Sequence, residues 1–450
     1  MGTINNFGNI LLPAGSNTID VQSLLNAAIQ ADAIPMELLQ EQQANLQTQS
    51  TALQSIETDI NSLATAVSGL SDTNGAINSI TATSSDSSVL TASADPTAVS
   101  GSHSIVVNSL ATTSSYYTDP VASETTALGT GSFQITVGSN PAATVTVDDT
   151  NNTLDGLAAA INGQNLGVTA SVITDANGAR LALVSNTSGA SGNITVSNNT
   201  TGLNFNLAAT GANASLTVDG VPISSTSNTV SSVIPGVTLN LTGASPDETV
   251  SLTLSPNTDA ATTAVNTFVS SWNTVIGDLN SQFDVTSLGT GGGPLEADNT
   301  LRNVENQLLS GINYAISGNN GIVNLASMGI NMNNDGTLTV DSGQLSNTLS
   351  NNFSSVQNLL QGTSGLATML STTLTQITDP STGLITGDLQ GMSDENNDLT
   401  QQIATMQAQL VNQEQVLTTQ YAQMETTLQE MPSLQSELTQ QLAGLSGSSS

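Results

Sequence analysis

Near the N-terminus apolar residues fall at Leu39, Leu46, Leu53, Ile56, Ile60, Leu63, Val67 and Leu70, in steps of seven and then of alternating three and four. That spacing keeps them on one face of a helix and predicts a heptad seam. Upstream, Ile19, Leu24, Leu25, Ala28 and Ile29 predict a shorter amphipathic segment with Asp20 at its N-cap, and Pro35 suits the first turn of the next helix. The stripe ends at Gly69 and the turn-forming residues 71–75. The last quarter repeats the theme: Leu399, Ile403, Met406, Leu410, Leu417, Met424, Leu428, Met431, Leu438, Leu442 and Leu445 keep four/three steps, interrupted at Gln413 and Gln420. A long helix with one apolar stripe cannot bury itself, so the two stripes are expected to pair, leaving an apolar edge for other subunits. Polar interruptions at core positions predict a weak, assembly-dependent coil, although an internal helical hairpin without partners fits the same pattern.

Between residues 81 and 257 the period changes to two. Phe133, Ile135 and Val137 alternate with polar residues, Val145 and Val147 follow, and Val237, Leu239 and Leu241 are expected to face Val250, Leu252 and Leu254 across a Gly/Pro/Asp loop. Asn177-Gly178 and Asp219-Gly220 are hairpin-turn signals between alternating runs. One helix interrupts, at Leu154, Leu157, Ala158 and Ile161, closed by Asn162-Gly163. Helical spacing returns with Val265, Phe268, Val269, Trp272, Val275, Ile276, Leu279 and Phe283. A Gly-rich spacer at 289–293 precedes a second helix capped by Asp298 and carrying Leu301, Val304, Leu308 and Ile312. A third carries Leu345, Leu349, Phe353, Val356 and Leu360.

Helix, β and helix in blocks predict an α+β multidomain fold: paired terminal helices forming coiled-coil legs, and a helical domain with inserted antiparallel β domains. The expected divisions are 1–40 with 390–450 for the leg, 41–80 with 258–389 for the helical domain, 81–116 with 211–257 for one β domain, and 117–210 for a β domain inserted into it.

Composition narrows the function. The chain has 450 residues with 35 acidic side chains, one His, no Cys, and Arg180 and Arg302 as its whole complement of Lys and Arg, for a formal charge of -33. Its polar side is made of Ser, Thr, Asn and Gln. Such a chain cannot neutralise phosphates and is repelled by anionic lipid, so nucleic acid and anionic membrane surfaces are excluded as partners. Without Cys there is no disulfide, thiolate or zinc-cluster chemistry. No run approaches the roughly 18 apolar residues of a membrane span, and the first twelve residues lack the basic and apolar regions of a cleaved signal peptide. Charged residues make up only 8% of the chain, too few for halophile-like crowding of carboxylates. The absence of Lys fits a low-pH exterior, where protonated carboxylates would otherwise leave cations unbalanced. Unfolding at pH 3, where relatives of ordinary composition survive, would count against that hypothesis.

No residue set points to catalysis, a cofactor or a metal. His103 stands before the strand-like residues 105–107 with no positional pattern tying it to a nucleophile or carboxylate, and reads as a solvated or strand-edge residue. Trp272 lies among core positions. Asn331-Met332-Asn333-Asn334-Asp335-Gly336 matches half of a calcium loop, but the first ligand is Asn and the twelfth position is Ser342 where Glu is needed. A β-hairpin with Ile330 and Met332 opposite Leu338 and Val340 fits better. Asp148-Asp149 and Asp394-Glu395 read as exposed turn or helix-start residues.

Several stretches carry a family likeness. Residues 19–70, with Asp20, Leu24-Leu25, Pro35 and Gln-rich heptads, resemble the N-terminal region of the bacterial flagellar hook-associated protein 2 family, the filament caps. Val218-Asp219-Gly220-Val221-Pro222-Ile223, Ser227-Asn228-Thr229-Val230 and Ile234-Pro235-Gly236-Val237-Thr238-Leu239 resemble its central signature. Leu295-Glu296-Ala297-Asp298-Asn299-Thr300-Leu301-Arg302 and Tyr421-Ala422-Gln423-Met424-Glu425 resemble its C-terminal half. Residues 153–162, Val168-Thr169-Ala170 and Gly178-Ala179-Arg180-Leu181 are similar to a motif shared among flagellar axial proteins. The resemblance implies a structural protein, not an enzyme, exported unfolded by the flagellar type III system to the extracellular tip of the flagellum. There it would form a small ring, expected to be a pentamer, with helical legs reaching into the filament. It implies flagellin, hook–filament junction proteins and an export chaperone as partners, insertion of flagellin through a symmetry-mismatch gap, and adhesion to host surfaces in some members. Without Lys, leg contacts with flagellin would rest on apolar and amide groups. Another axial protein, either a junction protein or a flagellin, and a secreted adhesin with a glycan-binding β head are the alternatives.

Overall fold

A computed structural model of the chain describes residues 21–284 and 292–446. Ile19, Asp20 and most of the 289–293 spacer lie outside the described residues, as do the side chains of Leu24, Leu428 and Leu445.

The N-terminal heptads form one helix, α1 (Val21–Ser71), rather than two segments meeting at Pro35. Proline inside a helix removes one N–H and crowds the carbonyl four residues back. Ala31 and Pro35 are both exposed, so that carbonyl is open to water and the cost stays local.

From α1 the chain enters β1 (Ile80–Ser84), β2 (Leu90–Ala94) and β3 (Gly101–Ser109). It continues through β4 (Thr113–Thr118), β5 (Gly131–Val137), β6 (Ala143–Val147), α2 (Leu154–Gly163), β7 (Val168–Asp175), β8 (Gly178–Ser188), β9 (Ile194–Ser197) and β10 (Phe205–Ala209). It then returns through β11 (Ala214–Val218), β12 (Val221–Ser225), β13 (Thr229–Ile234), β14 (Val237–Leu241) and β15 (Ser245–Pro256).

Two antiparallel sheets, β1-β15-β3-β11-β12 and β13-β14-β2, enclose one core containing Ile105, Val107, Leu216, Leu239 and Leu252. Two others, β10-β4-β8-β7 and β6-β5-β9, enclose with α2 a second core around Phe133, Leu157, Ile161 and Leu181. The second is nested in the first: Asn228 clamps the crossing segment by accepting from Ala111 N–H at 2.7 Å and donating to Ala111 O at 3.0 Å.

Several local expectations hold. Phe133, Ile135, Val137, Val145 and Val147 are buried. Asp219 and Gly220, with φ of 51° and 83°, form the two-residue turn between Val218 and Val221. At the other hairpin the turn lies one residue earlier than expected, because Asp175 pairs with Gly178 and leaves Ala176 and Asn177 as the loop. The larger difference concerns β14 and β15. They do not pair across their loop; β14 pairs with β13 and β2, β15 with β1 and β3, and their apolar residues meet through the core between two sheets. Alternation specifies a buried face but not which strand supplies the hydrogen bonds.

Gly138, after β5, has φ 58°, and a Cβ there would lie 2.0 Å from Ser191 O. Gly138→Ala is therefore expected to cost at least the roughly 1–2 kcal/mol of a left-handed non-glycine residue, read as a lower urea midpoint.

The chain leaves the β region where Asn257 N–H donates to Ser79 O at 2.9 Å, so entry and exit are adjacent. The helical body then adds α3 (Thr258–Phe283), α4 (Asn299–Ile312), the hairpin β16 (Ile330–Met332) and β17 (Leu338–Val340), α5 (Ser342–Asn351), α6 (Phe353–Gln361), α7 (Leu366–Thr378) and α8 (Leu384–Ser446). Asp298 caps α4 by accepting from Leu301 N–H at 3.0 Å. Trp272 is fully buried, and its Nε1–H donates to Gly336 O at 3.0 Å, tying α3 to the 333–337 turn. Met332 pairs with Leu338 and Ile330 with Val340, the expected hairpin. Asp394 and Glu395 are not at a helix start: α8 begins ten residues earlier, at Leu384.

Candidate functional site

α1 and α8 run antiparallel. Gln42 Nε2 donates to Glu395 Oε1 at 3.3 Å, Gln43 Nε2 to Thr400 Oγ1 at 2.8 Å and Gln413 Nε2 to Asp32 Oδ2 at 2.6 Å, so position rises along one helix as it falls along the other. These cross-helix bonds come from amides. The one ion pair found among the described residues is His103 with Asp219.

The apolar seam divides into three stretches. Leu53, Ile56, Ile60, Leu63 and Val67 are buried, together with Leu70, in the helical body against α3 and α7, not against the α8 stripe. Leu46, Leu399 and Ile403 are buried where α1 meets α8, and Leu39, Met406, Leu410 and Leu417 are half-buried farther along. Met424 is exposed, and the Leu428 side chain is outside the described residues. Beyond it the stripe faces solvent: Met431 is 58% exposed, Leu434 54%, Leu438 57% and Leu442 64%. By the register of Gln413 with Asp32, α8 passes the first described residue of α1 near Met424. Met36, buried to 4% exposure and three residues before Leu39, extends the stripe one step upstream of the residues that the heptad spacing predicts. Ile385, fully buried in the helical core, precedes the stripe in the same way.

The candidates for chemistry are otherwise engaged. His103 is not isolated: its Nδ1 lies 2.7 Å from Asp219 Oδ2, while Ser104 N–H donates to Asp219 Oδ1 at 2.8 Å. The imidazole bond, then the Ser104 amide, hold the Asp219 carboxyl below its ordinary range. The partner is 116 residues away in sequence, so only the pairing of β3 with β11 brings it close. Asp335 Oδ1 accepts from Thr337 Oγ1 at 2.6 Å and Thr337 N–H at 3.1 Å, which uses the half calcium loop as a turn. Asp148 does the same with Thr150. Among the described residues no group of three His, Asp or Glu side chains could hold a metal, and no helix is long and apolar enough to cross a membrane.

Two nested β regions on a helical body with a projecting helix pair narrow the family, and sequence comparison decides it. The family model described as flagellar hook-associated protein 2 N-terminus matches residues 17–114, and that described as flagellar hook-associated protein 2 C-terminus matches residues 211–433. The chain belongs to the flagellar hook-associated protein 2 family. A flagellin hook IN motif matches residues 132–187, within the nested β region. The B-type flagellar hook-associated protein 2 of Pseudomonas aeruginosa is 32% identical over 411 residues, covering 83% of this chain and 85% of that one. The flagellar hook-associated protein 2 of Escherichia coli is 28% identical over 402 residues, covering 82% and 85%. Among solved structures, the D1-D2-D3 domains of the Escherichia coli flagellar cap protein match with a TM-score of 0.61 and 27% identity, covering 76% of this chain and 99% of that chain. The hook-associated protein 2 architecture, long terminal helices around a β-rich centre, is thus shared over most of the chain.

Proposed function

We propose that this protein caps the distal tip of the flagellar filament and promotes insertion of flagellin, working by assembly rather than by chemistry. The observation that carries this reading, beside family membership, is the apolar stripe at the far end of α8. Covering such side chains is worth about 1.5–3 kcal/mol each. A stripe exposed in the single chain is therefore stabilising only in an assembly, with copies of itself in a small ring, proposed as a pentamer, and with flagellin below. With two Arg and no Lys, those contacts rest on apolar and amide groups. Hook–filament junction proteins, an export chaperone, unfolded export through the type III route and adhesion to host surfaces belong to the same proposal, on the family resemblance alone.

The domain division is proposed with one shift. β4 starts at Thr113 and pairs with β8 and β10, which favours a boundary near residue 112 rather than 117 for the nested β domain.

The purified chain is expected to form rings or stacked rings in negative-stain images, with a mass in solution that rises with concentration. A monomer at all concentrations would count against the proposal. Replacing Leu438 and Leu442 together by Ser is expected to leave the urea midpoint within error, because surface changes move stability by about 0.5 kcal/mol or less. The same double variant should weaken self-association at least about tenfold, the equivalent of 1.4 kcal/mol.

A further inference from the structure

We propose that the Asn-Gly steps at Asn74 and Asn177 are sites of spontaneous modification, where the side-chain amide is lost through a cyclic imide, and that the fold protects the same step at Asn162. The chain has four such steps, at Asn74, Asn162, Asn177 and Asn320. In each, the Gly nitrogen can attack Cγ of the preceding Asn. A bond forms between that nitrogen and Cγ, the bond from Cγ to Nδ2 breaks, and ammonia leaves with the proton of the Gly N–H. Water then opens the imide at either carbonyl, so the residue becomes Asp or, when the chain is left running through the side chain, isoaspartate. Glycine favours the step because no side chain hinders its nitrogen.

Attack requires Cγ to swing against the next nitrogen, and an amide held elsewhere cannot make that approach. Asn74, Asn162 and Asn177 are all exposed, so access to water does not separate them. Hydrogen bonds do. Asn162, near the end of α2, donates from Nδ2 to Ala170 O at 2.8 Å and accepts at Oδ1 from Ala170 N–H, also at 2.8 Å. Both ends of its amide are thereby tied to the edge strand β7. Asn74 and Asn177 sit instead in two turns of one form, Asp-x-Asn-Gly. Asp72 Oδ1 accepts from Asn74 N–H at 2.9 Å, and Asp175 Oδ1 from Asn177 N–H at 2.7 Å. These bonds fix the backbone of each turn, and among the described residues no hydrogen bond reaches either side-chain amide. Asn320 ranks between the two classes: its Nδ2 lies 3.5 Å from Ser355 Oγ, and its backbone is left-handed, with φ 52°.

The product matters most at Asn177. Gly178 is pressed so closely on Val121 that a Cβ there would lie 2.2 Å from Val121 O. The next residue, Ala179, exchanges two hydrogen bonds with Val121, each of 2.8 Å. Isoaspartate puts an extra backbone carbon and a negative charge directly before this contact. The modified chain is therefore expected to lose the bridge to Val121 while the core around Phe133 stays closed.

The test is peptide mass mapping of the full chain incubated at mildly alkaline pH, both folded and in concentrated urea, reading the exchange of the amide nitrogen for oxygen at each Asn-Gly step. In urea, where no fold constrains them, the steps at Asn74, Asn162 and Asn177 should convert alike. In the folded chain Asn74 and Asn177 should convert at least about tenfold faster than Asn162. Equal rates at all three in the folded chain, or an unconverted Asn74 or Asn177 once the chain in urea has reacted, would overturn the proposal. Hydrogen exchange of the isoaspartate fraction reads the consequence. The Val121 and Ala179 amides should exchange faster there than in the unmodified chain, and equal protection would overturn the effect assigned to Asn177.

Discussion

A chain ending at Asp398 is expected to keep its folded β regions and its helical core but to lose function at the filament tip entirely. The three cores are separate clusters, and none contains a residue beyond Met392. The truncation therefore removes no core side chain from the body. It does remove Leu399 and Ile403, which cover Leu46 and its neighbours on α1, and all of the exposed stripe from Met424 to Leu442. The calorimetric transition of the β regions should stay in place while self-association disappears. A truncated chain that assembles as the full one does would show that contacts elsewhere carry the ring.

The largest single-residue effect is expected at Trp272. It has no exposed surface and contacts Phe268 with ring centroids 6.3 Å apart. Large-to-small replacement of a buried aromatic costs about 3–5 kcal/mol. Trp272→Ala also leaves Gly336 O without the indole donor, adding about 1–3 kcal/mol if that carbonyl stays buried. Trp272→Phe separates the terms, since it keeps most of the packing and loses only the bond; a cost of about 1–2 kcal/mol is expected for it. Urea unfolding of both variants gives the comparison. A Trp272→Ala midpoint near that of the wild type would mean that the helical body is not organised around this residue. The β regions, which have their own cores, should keep their transition in either variant.

Local rules carry far in this chain because most of its elements are regular. Heptad spacing locates α1 and the middle of α8, alternation locates β5, β6 and β14, and Asp219-Gly220 locates a turn whose two positive φ values only such residues adopt readily. What the local rules miss is non-local. Pro35 lies inside a helix because the carbonyl it disturbs, that of the exposed Ala31, can face water, which depends on exposure rather than on sequence. The α1 seam between Leu53 and Leu70 has the same spacing as the leg but is buried by α3 and α7, and spacing does not name the partner. The separation of β14 from β15 and the His103 contact to Asp219 both depend on which elements become neighbours. Of the candidate assembly residues, Leu46 to Val67, Leu399 and Ile403 are buried, Leu39, Met406, Leu410 and Leu417 half-buried, and Met424 exposed. Whether a given stretch of the seam is core, leg or exposed stripe appears only once the register of α1 against α8 is known.

Filament growth in a flagellated bacterium whose own cap gene is deleted is the most direct test that this protein caps by assembly through α8. Supplied with the full chain, the cells are expected to grow filaments visible by electron microscopy; supplied with the Leu438→Ser, Leu442→Ser chain, exported and folded to the same level, they should release flagellin into the medium and grow few or none. Full-length filaments with the double variant, or none with the unmodified chain in its native host, would contradict the account.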